Sequence, residues 1–283
     1  METQGDSSIN PQRIIIVWLV LSVIADLAII FLLGPHMPPG SASAQADEQR
    51  KTNIVLAVVL APIAIAVWTY FAMALASFRQ RGEFRDGPPI QGDSRLQGYW
   101  IVGTLLIVLC LAAYGTYALY ATTSSAAGSG GGQGPTLISA APANALQVQV
   151  ISQQWAFTFR YPQYGDVETT QLAVQTNRTV VFHVTSLDVI HSFWAYGLGI
   201  KVDAVPGADN VADTTPNHPG TFTIRCAELC GVWHGEMHST GLVLTKGGFA
   251  SWIAQQRRQA QPVLKHLPPF RSVYYPDPTE RAG

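Results

Sequence analysis

Cys226-Ala227-Glu228-Leu229-Cys230-Gly231-Val232-Trp233-His234-Gly235-Glu236-Met237 sets two thiols, an imidazole and a thioether within twelve consecutive residues. Soft sulfur donors of this kind select copper. A single-copper blue site takes one Cys, two His and a weak axial Met, so two Cys leave one sulfur too many. Two thiolates four positions apart instead bridge a pair of copper ions, each of which then takes one His and a weak axial ligand. That count demands a second His from elsewhere. His191, in Asp188-Val189-Ile190-His191-Ser192-Phe193-Trp194, is the candidate, at a loop shortly after a strand pattern. The backbone carbonyl of Glu228, between the cysteines, supplies the remaining axial oxygen. The bland alternative is a Cys226–Cys230 disulfide in an exported domain.

Around this stretch the chain reads as β structure. Leu146–Val150, Trp155–Phe159, Thr179–Val184, Thr221–Ile224 and Gly241–Leu244 alternate apolar and polar residues, with Pro and Gly clusters between them. Many short strands over about 100 residues predict an all-β, cupredoxin-like Greek-key sandwich. Phe249–Ala260 has the spacing of a short amphipathic helix, and the Pro-rich tail after it is uninformative. Thr122–Ala145 is a flexible Gly/Ser/Ala tether. His183 in a strand and His218 in a turn read as structural, and His238 has no copper position left to fill.

The N-terminal half is of another kind. Of 283 residues, 48% are hydrophobic and only 12% charged, about half the charged share of a soluble domain. The apolar residues concentrate in Ile14–Gly34, whose one charge is Asp26, and in the charge-free runs Ile54–Phe78 and Tyr99–Ala121. Each is long enough to cross a bilayer, which takes about 20 residues. The first run has two readings: a retained helix, or a signal sequence cut at the small residues of Ser41-Ala42-Ser43-Ala44-Gln45-Ala46. Asp26 reads as facing a partner helix or as part of a removed segment, and Cys110 as a small packing residue.

Arg79, Arg81, Arg85 and Arg95 fall between the second and third runs, whereas Thr122–Phe159 holds no Lys or Arg. The Arg-rich loop is therefore cytoplasmic and the β half outside, with a plasma membrane expected. Arg50 and Lys51 on the outer side weaken that signal slightly. Three cysteines exclude a disulfide-rich miniprotein, and 17 Lys+Arg against 18 Asp+Glu leave no basic face for nucleic acid. The expected organisation is residues 1–53 as N-terminal span and outer loop, 54–121 as a transmembrane hairpin and 122–145 as linker. A copper domain follows at 146–248, then a C-terminal helix and tail at 249–283.

These residues together resemble subunit II of the haem–copper cytochrome c oxidases, with its dinuclear CuA centre. The match runs on through Leu198-Gly199-Ile200-Lys201-Val202-Asp203-Ala204-Val205-Pro206-Gly207, through Pro219-Gly220-Thr221-Phe222, and includes Gln154-Trp155. The resemblance implies copper on His191, Cys226, Cys230, His234, Met237 and the Glu228 carbonyl. It implies a magnesium ion on the Glu228 carboxylate at the contact with subunit I, and Asp203 in a segment facing that subunit. Trp155 is implied as the residue through which electrons arrive from a c-type cytochrome. Subunit I, which holds haem and reduces oxygen, is the implied partner, with subunit III beside it, and this chain alone is expected to be inactive as an oxidase.

Departures from the family pattern are also visible. Gln97 stands where the family often has a Glu at a proton-channel mouth, three residues before Trp100, which implies a different arrangement of proton entry. Only Asp166 and Glu168 follow Trp155 where an acidic cluster is usual, so less charge is available to steer a strongly basic cytochrome c. No C-x-x-C-H occurs, so no cytochrome c domain is fused to the chain. Two other readings keep the copper: the CuA subunit of a nitric oxide reductase, and a membrane-tethered copper carrier.

Overall fold

The computed structural model describes residues 10–38, 40–77, 92–123 and 143–264. Arg79, Arg81, Arg85, most of the Gly/Ser/Ala tether and the Pro-rich tail lie outside the described residues. The chain divides into a helical unit, within residues 1–37 and 51–118, and a second unit made of residues 38–50 and 119–283.

Among the described residues, three helices are long and apolar enough to cross a membrane. Helix α1 (Pro11–Ala28) starts with proline at its first position, and the Asn10 side chain accepts from the Gln12 N–H at 2.9 Å. The Asn10 cap satisfies an N–H that a helix start leaves unpaired, and the proline has no N–H to leave so. It runs on through a π turn at Ile29–Leu33 and a 3-10 turn at Gly34–His36. Helix α2 spans Ala44–Ser77 and carries Pro62 inside it. Trp18 of α1 donates its indole N–H to the Pro62 carbonyl at 2.8 Å. Helix α3 spans Ser94–Thr123, with the Asp93 carboxylate accepting from Arg95 N–H at 2.9 Å. Phe31, Trp68 and Val108 are 60–69% exposed on these helices. Such apolar walls are stable against lipid, where the helix satisfies its own backbone. Cys110 also lies on the exposed surface of α3.

The second unit is a sandwich of two five-stranded sheets. One has the order β3-β2-β1-β5-β8 and the other β4-β10-β9-β6-β7. In the first, β1 (Leu146–Gln153) lies antiparallel to β2 (Ala156–Tyr161) and parallel to β5 (Val180–Ser186). The edges are β3 (Val167–Thr169) and β8 (Asn210–Thr214). In the second, β9 (Gly220–Cys226) lies between β10 (His238–Leu244) and β6 (His191–Ala195), with β4 (Ala173–Gln175) and β7 (Ile200–Ala204) outside them. Alternation in β9 turns Phe222, Ile224 and Cys226 inward. Phe193 of β6 meets Phe157, Phe159 and Phe182 edge-on or tilted, with ring centroids 5.4–6.1 Å apart, and so locks β6 into the core.

Two expectations need correction. His191 is not in a loop: it opens β6, a strand buried at four of its five positions, so no alternation marked it. The C-terminal helix α4 is longer than the apolar spacing indicated, running Lys246–Leu264, because Phe249 and Ile253 are buried in the sandwich while its other turns are polar. Residues 38–50, within the expected outer loop, group with the β unit. There Ser43 and Ala46 are fully buried.

Candidate metal centre

One end of the second sheet gathers the sequence's donor residues. Phe193 of β6 pairs with Cys226 of β9, which puts His191, two positions earlier, at the same end as the last residue of β9. The chain then turns through the Cys226–Met237 loop and returns as β10. Backbone bonds close the loop: Cys226 N–H donates to the Met237 carbonyl at 3.0 Å and Ala227 N–H to the Ser192 carbonyl at 3.0 Å. A 3-10 turn at His234–Glu236 directs His234 back toward the cysteines.

The sulfurs of Cys226 and Cys230 are 3.7 Å apart. A disulfide holds them at about 2.05 Å, so the pair is two thiols. One metal ion bonded to both at about 2.3 Å reaches across such a gap. His191 Nδ1 stands 3.9 Å from Cys226 Sγ, and His234 Nδ1 3.5 Å from Cys230 Sγ. Met237 Sδ is 3.8 Å from Cys230 Sγ, and the Glu228 carbonyl 3.2 Å from Cys226 Sγ. The donors therefore fall into two sets sharing two central sulfurs. His191, Cys226 and Cys230 are all buried and bring their donor atoms within 4.8 Å of one another. Met237 is 1% exposed, while the Glu228 side chain faces outward.

Electrostatics separate the two thiols. Burial raises the Cys226 thiol, but hydrogen bonds from His191, the Ser192 backbone and the Glu228 region outweigh it and lower it to about 6. Cys230 is pushed up to about 12 by burial and by the neighbouring Cys226 thiolate. A first thiolate is thus preformed and the second proton leaves when a cation arrives.

Two residues without an assigned role in the sequence hold this centre. Asp188 accepts from Gln154 N–H at 2.7 Å on one oxygen, and from Val189 N–H at 2.7 Å and His191 Nε2 at 2.8 Å on the other. Burial raises its carboxyl, yet these bonds more than compensate and hold it below the usual carboxylate range. An ionised carboxylate only accepts, so His191 presents an Nε2–H to Asp188, which fixes the ring and aims Nδ1 at Cys226; once Nδ1 gives up its proton it can ligate a metal ion. Gln154 Nε2 donates to the Cys230 carbonyl at 2.9 Å, beside Trp155 Nε1, which reaches the same oxygen at 3.1 Å. Gly231, at φ +117°, makes room for them, since a Cβ there would lie 3.2 Å from both Gln154 Nε2 and Trp155 Cζ2. Asp188, three residues before a ligand-type His, is a signal the sequence does carry. Gln154 has none beyond its place before Trp155.

His183, His218 and His238 lie apart. His183 bonds Asp209 at 2.8 Å and Gln147 at 3.0 Å, His218 bonds its neighbour Asn217, and His238 is exposed, 3.9 Å from Glu236. Around the loop mouth Leu229, Val232 and Trp233 are 57–86% exposed.

Membrane-spanning helices followed by a cupredoxin-like sandwich with a two-thiolate, soft-donor site define a class of membrane-anchored copper-binding protein. Residues 169–240 match the family described as cytochrome C oxidase subunit II, periplasmic domain, and the chain resembles that subunit. It is 29% identical to cytochrome c oxidase subunit 2 of Thermostichus vulcanus, over 89% of this chain and 89% of the relative. It is 26% identical to the protein of that description in a Synechocystis species, over 84% and 82%. Among solved structures, it is similar to the periplasmic domain of subunit II of cytochrome oxidase of Bradyrhizobium japonicum. There identity is 28% and the TM-score 0.40, over 42% of this chain and 98% of that one.

Proposed function

We propose that the chain is subunit II of a plasma-membrane cytochrome c oxidase, holding a dinuclear CuA centre on His191, Cys226, Glu228 O, Cys230, His234 and Met237. Bound there, the copper pair supplies one-electron transfer from a c-type cytochrome to haem in subunit I, where oxygen is reduced. The observation that carries this reading is the shared pair of sulfurs, 3.7 Å apart, with one imidazole on each outer side. A blue-copper site has no use for the second thiol, and a carrier would expose its donors, whereas Cys226, Cys230 and His191 are all buried.

The chain's own residues divide the remaining work. Asp188 and the β6–β9 pairing fix His191, and a rigid donor frame limits movement when charge changes. Trp155 covers the Cys230 carbonyl and is only partly buried, which suits the residue through which electrons arrive. Leu229, Val232 and Trp233 form an uncharged rim at the loop mouth, fitting a donor that docks by apolar contact. The exposed Glu228 carboxylate is accessible to a magnesium ion shared with subunit I, and Asp203 belongs to the facing segment. Subunit III and lipid complete the assembly, and the chain by itself is not an oxidase.

Copper analysis and electron paramagnetic resonance on the purified, intact complex test the proposal. Hyperfine coupling to two equivalent nuclei is expected, with two coppers per chain beyond the copper held by the haem–copper catalytic subunit. One isolated copper, or none, would refute the ligand count. Turnover with oxygen but not nitric oxide would separate an oxidase from a nitric oxide reductase.

A further inference from the structure

The small residues at 41–46 admit two uses on sequence grounds, as a site cut by a signal peptidase or as part of the folded chain. The contacts favour one of them. Ala42 N–H donates to the Gly197 carbonyl at 2.9 Å, and Asn217 N–H donates to the Ala42 carbonyl at 2.9 Å, so the backbone is held from both sides. Ser43, fully buried, donates from Oγ to the Leu198 carbonyl at 2.8 Å and accepts from Ala46 N–H at 3.1 Å, which caps the start of α2. Gln45 Oε1 accepts from Thr214 Oγ1 at 3.0 Å, and Gln49 Nε2 donates to the Gly199 carbonyl at 2.9 Å. The three successive carbonyls of Gly197, Leu198 and Gly199 thus each receive a donor from this segment.

The receiving surface has the matching shape. Gly197 lies between Phe222 and Ala42: a Cβ added to it would stand 2.7 Å from the Phe222 Cβ, which excludes a side chain there, and at van der Waals contact, 3.5 Å, from the Ala42 Cβ. Gly199, at φ +67°, faces the Ala46 backbone, where a Cβ would come within 2.9 Å of Ala46 N. Larger side chains on either partner would open the contact. The contacts bind both sheets, through Thr214 at the end of β8 and through the turn that follows β6. They lie at the far end of β6 from His191.

We infer that residues 40–49 are a permanent strap of the β domain in the mature protein. Ala42, Ser43 and Ala46 are small because they seat in a glycine cradle, and the first helix stays joined to the chain. Cutting after Ala44 or Ala46 would separate Ala42 and Ser43 from α2, leaving the Leu198 carbonyl with Thr214 as its remaining donor among these contacts.

Peptide mapping by mass spectrometry of the mature chain, in the intact complex from its own membrane, gives the first test. Peptides that run unbroken from the first helix through 40–49 are expected. A mature N-terminus at any of residues 43–47 overturns the inference. Hydrogen exchange on the same preparation gives the second. The Ala42 and Asn217 amides are expected to be protected, and Ser43→Ala to speed their exchange about fivefold with the copper resonance unchanged. Wild-type amides exchanging at the rate of an unstructured chain would also overturn it.

Discussion

Replacing Asp188 by Asn keeps the side chain's size and removes its charge. Both carboxylate oxygens are occupied as acceptors, one by Gln154 N–H at 2.7 Å and the other by Val189 N–H at 2.7 Å and His191 Nε2 at 2.8 Å. An amide turned either way therefore points an NH2 group at an N–H. Losing the charge-assisted bond to His191 costs about 2 kcal/mol, which is roughly 30-fold in an equilibrium constant. That lies within the range of about 10–100-fold reported by removal of a partner to a metal-bound His. Competition between the purified protein and a copper chelator measures it, with the hyperfine pattern followed alongside. Weaker copper retention is expected in Asp188→Asn and Asp188→Ala, with partial recovery in Asp188→Glu, because a carboxylate is kept. If the Asn and Ala variants held copper as tightly as the wild type with the same spectrum, the argument for His191 positioning would fail.

Further predictions follow from the same geometry. Cys226→Ser and Cys230→Ser should each abolish the coupling to two copper nuclei, since the proposed centre shares each sulfur between both ions; a normal spectrum in either variant would contradict the bridging role. Copper uptake should strengthen as pH rises. Cys226 is a thiolate above about 6 whereas Cys230 keeps its proton to about 12. Burial lowers His191 but its bonds to Cys226 and Asp188 outweigh that and raise it above its ordinary range. Apparent affinity should thus climb about tenfold per pH unit once His191 is neutral and more steeply at lower pH, where His191 and then Cys226 also hold protons; a flat profile from pH 6 to 8 would count against this. Gly231→Val, at φ +117° and against Trp155, should cost about 1–3 kcal/mol of stability, read as a lower unfolding midpoint. Trp233→Ala should raise KM for the cytochrome donor about tenfold at unchanged copper content, with little dependence on salt. Strong salt dependence would mean that charges elsewhere guide docking.

Much of this protein is legible in one dimension. Apolar runs of membrane length and the alternation of Leu146–Val150 or Thr221–Ile224 are local properties, so they predict helices and a sandwich without knowledge of packing. The donor types within Cys226–Met237 are local too, and their chemistry selects copper before any distance is known. The alternation fails for β6 because a strand buried on both faces has no polar beat, and for the three-residue strands β3 and β4 because they are too short to show one.

Tertiary structure alone brings together what lies far apart in the chain. His191 meets Cys226 across 35 positions because β6 pairs with β9, and that register follows from the core packing of Phe193. Asp188 reaches Gln154 across 34 positions, and Ser43 reaches Leu198 across 155. Both are hydrogen bonds whose partners are chosen by burial, because an unpaired polar group inside the fold is costly. No spacing rule encodes them. The sequence by itself determined which atoms are available to bind metal and which segments lie in lipid. Only the folded chain decided how His191 is held and that a small-residue segment beside a membrane helix belongs to the sandwich, since both depend on surfaces that exist once the two sheets have packed.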